Sequence, residues 1–331
     1  ACRALSFANL RPQCTVEAKE APPVGGRCGE WTSPVWSACD PTTMDDRQAG
    51  QPFLGSEALA GGLLNRHQLR TRFRAVLPNV YLPRGREPSL QDRIAAAWPW
   101  SRGSGTIAGL SAAAMHGSKW IPADIPVELV HFNPRPPRGV VTRRWLLHAD
   151  EVQMMEGRRV TSPARTAFDL GRRDTFPIAV ARLDALARAT KLKVGDVLTV
   201  AAHHPGTRGL RRLESVLELV DWGAQSPQET YLRLVLVRAG LPPPRTQVPV
   251  YAEDGALVAY LDMGWRELMI GVEYDGDQHR TDRRQYVRDM RRRELLEELG
   301  WLVIRVVAED HPSDVLLRVR RALAERQSSV P

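Results

Sequence analysis

Asp262, Glu273 and Asp275 are the polar exceptions in two otherwise apolar stretches, residues 256–263 and 268–275. Acids are poor strand formers, so three of them in two short strands suggest a use. Side chains two apart on a strand share a face, which places Glu273 with Asp275 while Ile270, Val272 and Tyr274 pack behind. A hairpin turning about Arg266 and Glu267 pairs Asp262 with Gly271 and sets it diagonal to Glu273, roughly 7–8 Å away at the backbone. One divalent ion can bridge such a pair, whereas a slip of one residue would send Asp262 to the other face. Hard oxygen ligands suit Mg²⁺ or Mn²⁺, and the chemistry such an ion serves is phosphodiester hydrolysis. The other reading open for these acids is that of solvated edge carboxylates, above all for Asp275, which begins an Asp-Gly turn.

The elements that must hold these acids read clearly. Ser226-Pro-Gln-Glu229 opens a helix that Gly240-Leu-Pro-Pro-Pro244 ends. Period-two stretches follow at 246–250, 256–263 and 268–275, then an Arg-rich helix over 281–299, a strand over 301–307 and a helix over 313–326. The order is α-β-β-β-α-β-α. Ser226 with Glu229 forms the pattern of a capping box, in which the glutamate bonds back to the helix start. Arg280, Arg283, Arg284, Arg288, Arg291, Arg292 and Arg293 encircle their helix, so only some can face one partner. Guanidinium groups suit phosphate, with Arg292 the first choice for a substrate phosphate and Arg288 and Arg284 beside it.

Residues 224–326 resemble the D-x(n)-E-x-K nuclease superfamily, and within it the domains related to very-short-patch-repair endonucleases. The resemblance rests on Asp262, Glu273, Asp275-Gly-Asp-Gln-His279, Asp289-x-x-Arg292 and Gly300-Trp-Leu-Val-Ile-Arg305. It implies a restriction-endonuclease-like mixed sheet flanked by helices, with Asp262 and Glu273 as metal ligands. It also implies a catalytic part for His279, as general base or in polarising water, and a place for Glu229 in the metal cluster as an alternative to capping. The motif lysine, two residues after the second acid, is Asp275 here, and no lysine follows Lys193.

Charge is spread unevenly over the 331 residues, whose net charge is +8. Residues 223–331 hold 16 arginines against 17 acids, whereas residues 51–222 hold 25 Lys and Arg against 15 acids. A positive middle region favours a polyanionic partner, although a solvated basic surface has the same composition. Residues 51–86 read as helix, helix and β-wing, with Ser56 and Asn65 as helix caps and a strand over 75–82. A winged helix would turn Arg66, His67, Arg70, Arg72 and Arg74 towards DNA. Beyond them, residues 89–222 read as α+β, with helices dominating after Ser162. There Ser162 caps and Pro163 opens a helix whose Arg165 and Asp169 stand one turn apart, as a surface ion pair.

Residues 53–190 resemble the AbiEi-like antitoxins and related regulators of viral-defence systems. Leu64-Asn-Arg-His-Gln-Leu69, Asn79-Val-Tyr81, Gly109-Leu-Ser-Ala-Ala-Ala-Met-His-Gly117 and the helix from Thr161-Ser-Pro-Ala-Arg-Thr carry that resemblance. It implies DNA binding or the regulation of a partner, such as a toxin or defence component. Residues 1–50 have no helical or alternating period and read as disordered. Met44 is the expected start of the native chain, and Cys2, Cys14, Cys28 and Cys39 match no zinc spacing. No stretch is apolar for long enough to span a membrane, and no signal sequence is evident, so a cytoplasmic protein is expected.

The expected architecture is therefore α/β: a winged-helix-like segment at 51–88, an α+β middle domain at 89–222 and a nuclease-like domain at 223–331. Two functions fit it. One is a Mg²⁺- or Mn²⁺-dependent endonuclease or nickase acting on double-stranded DNA, and the other is a non-catalytic DNA-binding regulator of the antitoxin type.

Overall fold

Side-chain caps start α-helices at Asn65, Ser89, Ser162 and Ser226, and three separate sheets give the helices something to pack on. The computed structural model describes residues 50–275 and 283–328, without the side chains of 283–287. The expectations for residues 1–49, including the start at Met44 and the cysteines, lie outside the described residues, as does His279. The described elements all belong to one compact unit, Asp45–Pro331.

The first sheet is small. Strand β1 (Phe53–Leu54) and helices α1 (Gly55–Ala60) and α2 (Arg66–Arg72) precede β2 (Phe73–Leu77) and β3 (Val80–Pro83), in the sheet order β1-β3-β2. Asn65 caps α2 through a full capping box with Gln68, as its position suggested. Ser56 does not cap α1, which follows Leu54 without a side-chain cap. Asn79 instead donates to the Ser56 hydroxyl at 2.7 Å and accepts from the Ser56 amide at 2.9 Å. Asn79 has φ of 61°, so the single strand expected over 75–82 turns there and becomes two.

The middle region holds a five-stranded mixed sheet beside a helical layer. Helix α3 (Leu90–Trp100) is capped by Ser89, and β4 (Thr106–Ile107), α4 (Gly109–Met115), β5 (Val127–Val130) and β6 (Val140–Arg143) follow. The hairpin β7 (Val152–Met155) and β8 (Arg158–Thr161) completes the order β6-β5-β4-β8-β7. Helices α5 (Pro163–Arg173), α6 (Phe176–Thr190), α7 (Val194–His203) and α8 (Leu210–Leu217) then bury Phe168, Leu183, Leu186, Val200 and Leu213 in one cluster. Ser162 caps α5 and Pro163 opens it.

The last region has the expected α-β-β-β-α-β-α order. Helix α9 (Pro227–Arg238) leads to β9 (Arg245–Tyr251), β10 (Leu257–Trp265) and β11 (Ile270–Tyr274). Helix α10 (Arg283–Glu298), β12 (Leu302–Val306) and α11 (Pro312–Ser328) follow. The sheet order is β12-β11-β10-β9, parallel between β11 and β12 and antiparallel elsewhere. Ile304 and Val306 of β12 join a cluster with Leu232 and Leu236 of α9 and Val315 and Val319 of α11. Val303, on the other side by alternation, packs with Leu296 of α10. The sheet is thus covered on both faces, and an interior of this kind excludes water around any acid at its margin. Asp184 of α6 fastens the helical layer to this region, accepting from Thr230 at 2.8 Å and from Arg233 at 2.9 Å.

Candidate active site

Acids from three elements come within electrostatic reach of one another at Asp262. Asp262 stands one residue before the first β10–β11 pair, Met263 with Val272, and Glu273 one residue after it. The partner of Gly271 is Gly264 and not Asp262, so the register differs by two residues from the expected one. The cause is the connection: a 3₁₀ turn at Arg266–Leu268 and left-handed Met269 move the turn towards the C-terminus. A shift of two preserves the face, so Asp262 still comes beside Glu273, alongside it rather than diagonal. The Asp262 carboxylate accepts the Tyr274 amide at 2.8 Å, a bond that ties the two strands where their ladder ends.

Glu229 caps its helix, the first of the two readings left open for it. Its carboxylate accepts from the Ser226 hydroxyl at 2.9 Å and from the Gln225 amide at 2.8 Å, so it closes the start of α9. It is also buried, and its charge acts on Asp262. Burial raises the Glu229 pKa, against the bonds from Gln225 and Ser226 and the charge of Arg188.

Asp262 is the most perturbed of the three, its pKa pushed up to about 7. Burial is the largest cause and the charge of Glu229 the next, with Glu273 adding to them. The Tyr274 amide and Arg292 oppose the shift. At Asp262 the charges of Glu229 and Glu273 act together with burial against ionisation, and a proton or a cation relieves them.

Arg292 of α10 grips Glu273 with both terminal nitrogens, at 2.5 and 3.3 Å, and donates to the Tyr260 carbonyl at 3.0 Å. Its expected place was on a substrate phosphate; here it holds an acid of the cluster. Burial works against the charge of Arg292, and the bond to Glu273 with the charges of Glu273, Asp262 and Asp289 outweighs it, so its pKa is raised. Asp275 is set apart from the cluster: it lies past the end of β11, exposed, 4.0 Å from Arg305. Arg288 is exposed on α10, and the Arg284 side chain is outside the described residues.

The basic residues of α2 lie on its surface. Arg66 and Arg70, one turn apart, are exposed with His67 and Arg72, while Leu69 faces the core. Arg74 is not available with them, because Glu87 holds it at 2.8 and 3.1 Å.

Arg165 and Asp169 are the largest departure from expectation. They are interior, 2% and 0% exposed, not a surface pair. Arg165 donates to Asp169 at 2.8 Å, to the Leu146 carbonyl at 2.8 Å and to buried Glu151; Arg172 donates to the other oxygen of Asp169. Trp145 lies against this group, with the guanidiniums of Arg173 and Arg172 at 4.9 and 5.1 Å from its ring. Sequence reading missed Glu151 altogether, since its partner is 14 residues away on another element.

Comparison with known proteins gives a class for the middle of the chain. Residues 107–219, from β4 to just past α8, match the family model of the AbiEi antitoxin C-terminal domain. The helix from Thr161 and the segment from Gly109 both fall inside that match. Two relatives in Mycobacterium tuberculosis are similar over more of the chain: "Uncharacterized protein MT2308" of strain CDC 1551 / Oshkosh and "Uncharacterized protein Rv2248" of strain ATCC 25618 / H37Rv. Each is 28% identical over 244 residues, which is 72% of this chain and 88% of the relative. Among the described residues no helix is long and apolar enough to cross a membrane.

Proposed function

We propose that the chain is a metal-dependent DNA endonuclease or nickase, related to the very-short-patch-repair type, whose amino-terminal helices bind double-stranded DNA. The observation that carries this reading is the approach of Glu229 of α9 and Glu273 of β11 to Asp262 of β10, whose carboxyl their charges raise, with Arg292 bound to Glu273. The donor set is all carboxylate, which fits Mg²⁺ or Mn²⁺, and the surplus negative charge at Asp262 favours a cation there. Asp262 and Glu273 would hold the ion, with Glu229 behind them. When bound, such an ion supplies charge to the phosphoryl oxygens and acidifies a water.

The chain's own groups supply positioning. Arg292 already binds an oxyanion in bidentate fashion, the geometry that a backbone phosphate offers. Its transfer from Glu273 to DNA would free Glu273 as substrate arrives, and Glu229 would hold the start of α9 in place meanwhile. The motif lysine is absent, and His279 remains the residue proposed to act on water in its stead.

The test is cleavage of plasmid DNA and of mismatched duplex by the purified chain with Mg²⁺ or Mn²⁺. Cutting that disappears in the Asp262→Ala, Glu273→Ala double variant supports the reading, and cutting that persists there removes both residues from the mechanism. The match at 107–219 favours a second reading, a non-catalytic regulator of the antitoxin type with a toxin or defence-system partner. That reading expects salt-sensitive binding to promoter DNA, no cutting with either metal, and equal binding by the double variant.

A further inference from the structure

We propose that His148, Glu151 and His204 form a site for a divalent transition metal of the zinc class, distinct from the carboxylate cluster. One ligand atom from each of the three falls within 4.8 Å of the other two. His148 precedes the 3₁₀ turn Ala149–Glu151, and His204 ends α7, so a metal would pin that turn to the helix.

The Glu151 carboxylate is oriented for this purpose. Its Oε2 accepts from Arg165 and, at 3.2 Å, from the His148 amide. Its Oε1 lies 2.6 Å from His204 Nε2, on the imidazole side. Outer hydrogen bonds of this kind fix a carboxylate ligand; Arg165 also lies 3.1 Å from His204 Nε2, and a bound metal would replace that contact. The His148 ring stands 5.2 Å from that of His204, and Phe168 forms an apolar wall 5.4 Å from the His204 ring. Zinc-to-ligand lengths of about 2.0–2.2 Å put neighbouring ligand atoms roughly 3.4 Å apart. His204 and Glu151 would therefore separate by less than about 1 Å to admit the ion.

The ligand chemistry selects the metal. Two imidazoles and one carboxylate suit zinc, cobalt or nickel and are poor for Mg²⁺. Arg165 and Arg172 balance Glu151 and Asp169, so binding here rests on nitrogen coordination rather than on a charge deficit. That separates it from the acid cluster in the last region. His203 and Asp150 are exposed at the outer edge, where the His203 ring lies 5.3 Å from that of His148. The edge gives an entry path and a reserve imidazole for the fourth position.

The experiment uses the full chain, stripped with a chelator and titrated with Co²⁺ and then Zn²⁺. One equivalent of Co²⁺ is expected to give a visible d–d spectrum without a thiolate charge-transfer band, and Zn²⁺ is expected to displace it. His148→Ala and His204→Ala should each weaken binding by about tenfold or more. His148→Ala keeps the test decisive if loss of His204 disturbs the fold, which circular dichroism would reveal. The same titration in the Asp262→Ala, Glu273→Ala background removes any Co²⁺ held by the carboxylate pair, so one equivalent still bound there is independent of the nuclease reading. Unchanged affinity in His148→Ala, or a thiolate band arising from the cysteines, would overturn the proposal.

Discussion

Two groups of interior charge in this chain are built from the same residue types and balanced differently. Around Arg165, two guanidiniums meet two carboxylates, and each charged group has its partners: Asp169 takes one arginine on each oxygen. Around Asp262, the charges of Glu229 and Glu273 are opposed by that of Arg292, which is bound to Glu273, and Asp262 is pushed up to about 7. A closed and neutral network gives orientation and a defined core, so a metal at the imidazoles beside Glu151 would be held by coordination rather than by relief of a charge. An unbalanced one leaves a group near neutrality that a cation, a proton or a substrate must satisfy. Burial alone would have marked both groups as functional; the charge count separates them.

The largest expected effect lies in the balanced group. Arg165→Met should strand Glu151 without its arginine, leave Asp169 only Arg172, and cost about 3–5 kcal/mol, read from urea unfolding. A loss under about 1 kcal/mol would show that the network is not structural.

The unbalanced group should respond in the opposite sense. Asp262 has a folded pKa raised above its unfolded value, so its contribution is intact at acid pH and is lost as pH rises from about 4 through about 7. Asp262→Asn should therefore stabilise the chain by roughly 1–3 kcal/mol at pH 8, with the gain shrinking as pH falls towards 4. The same variant should lose cleavage. Destabilisation at pH 8 would contradict the charge surplus.

A smaller effect sharpens the assignment of Glu229. Glu229→Gln removes one of the charges acting on Asp262, so the Asp262 carboxyl should titrate at lower pH in a ¹³C-detected NMR experiment. The glutamine can still accept at the start of α9, so stability should change by less than about 1 kcal/mol. The smallest effect concerns α2, where Arg66→Ala and Arg70→Ala should each reduce the slope of log affinity against log salt by about 1 if the arginine meets a DNA phosphate.

Local signals were legible in the sequence and tertiary ones were not. Asn65, Ser89, Ser162 and Ser226 cap their helices, because a cap needs only a neighbour three residues on. The order of the last region followed from hydrophobic period and breakers. The register of Asp262 did not, because Met269 takes a left-handed conformation that its residue type does not announce. The β7–β8 hairpin was hidden in the same way: its strands have four residues each, and its turn is Glu156-Gly157, with φ of 48° and 73°, rather than Asn-Gly or Asp-Gly. Arg165 in an amphipathic helix reads as solvated until Glu151 is seen folded against it. The acids of the candidate site were readable as exceptions within strands, whereas the role of Arg292 as their counter-ion depended on how α10 lies over β11.

Anomalous scattering from crystals grown with Mn²⁺ tests the central claim most directly. The account predicts a manganese peak between Asp262 and Glu273, with Arg292 turned away from Glu273. A crystal in which Arg292 keeps its grip on Glu273 and no peak lies on either acid, at millimolar Mn²⁺, would contradict it.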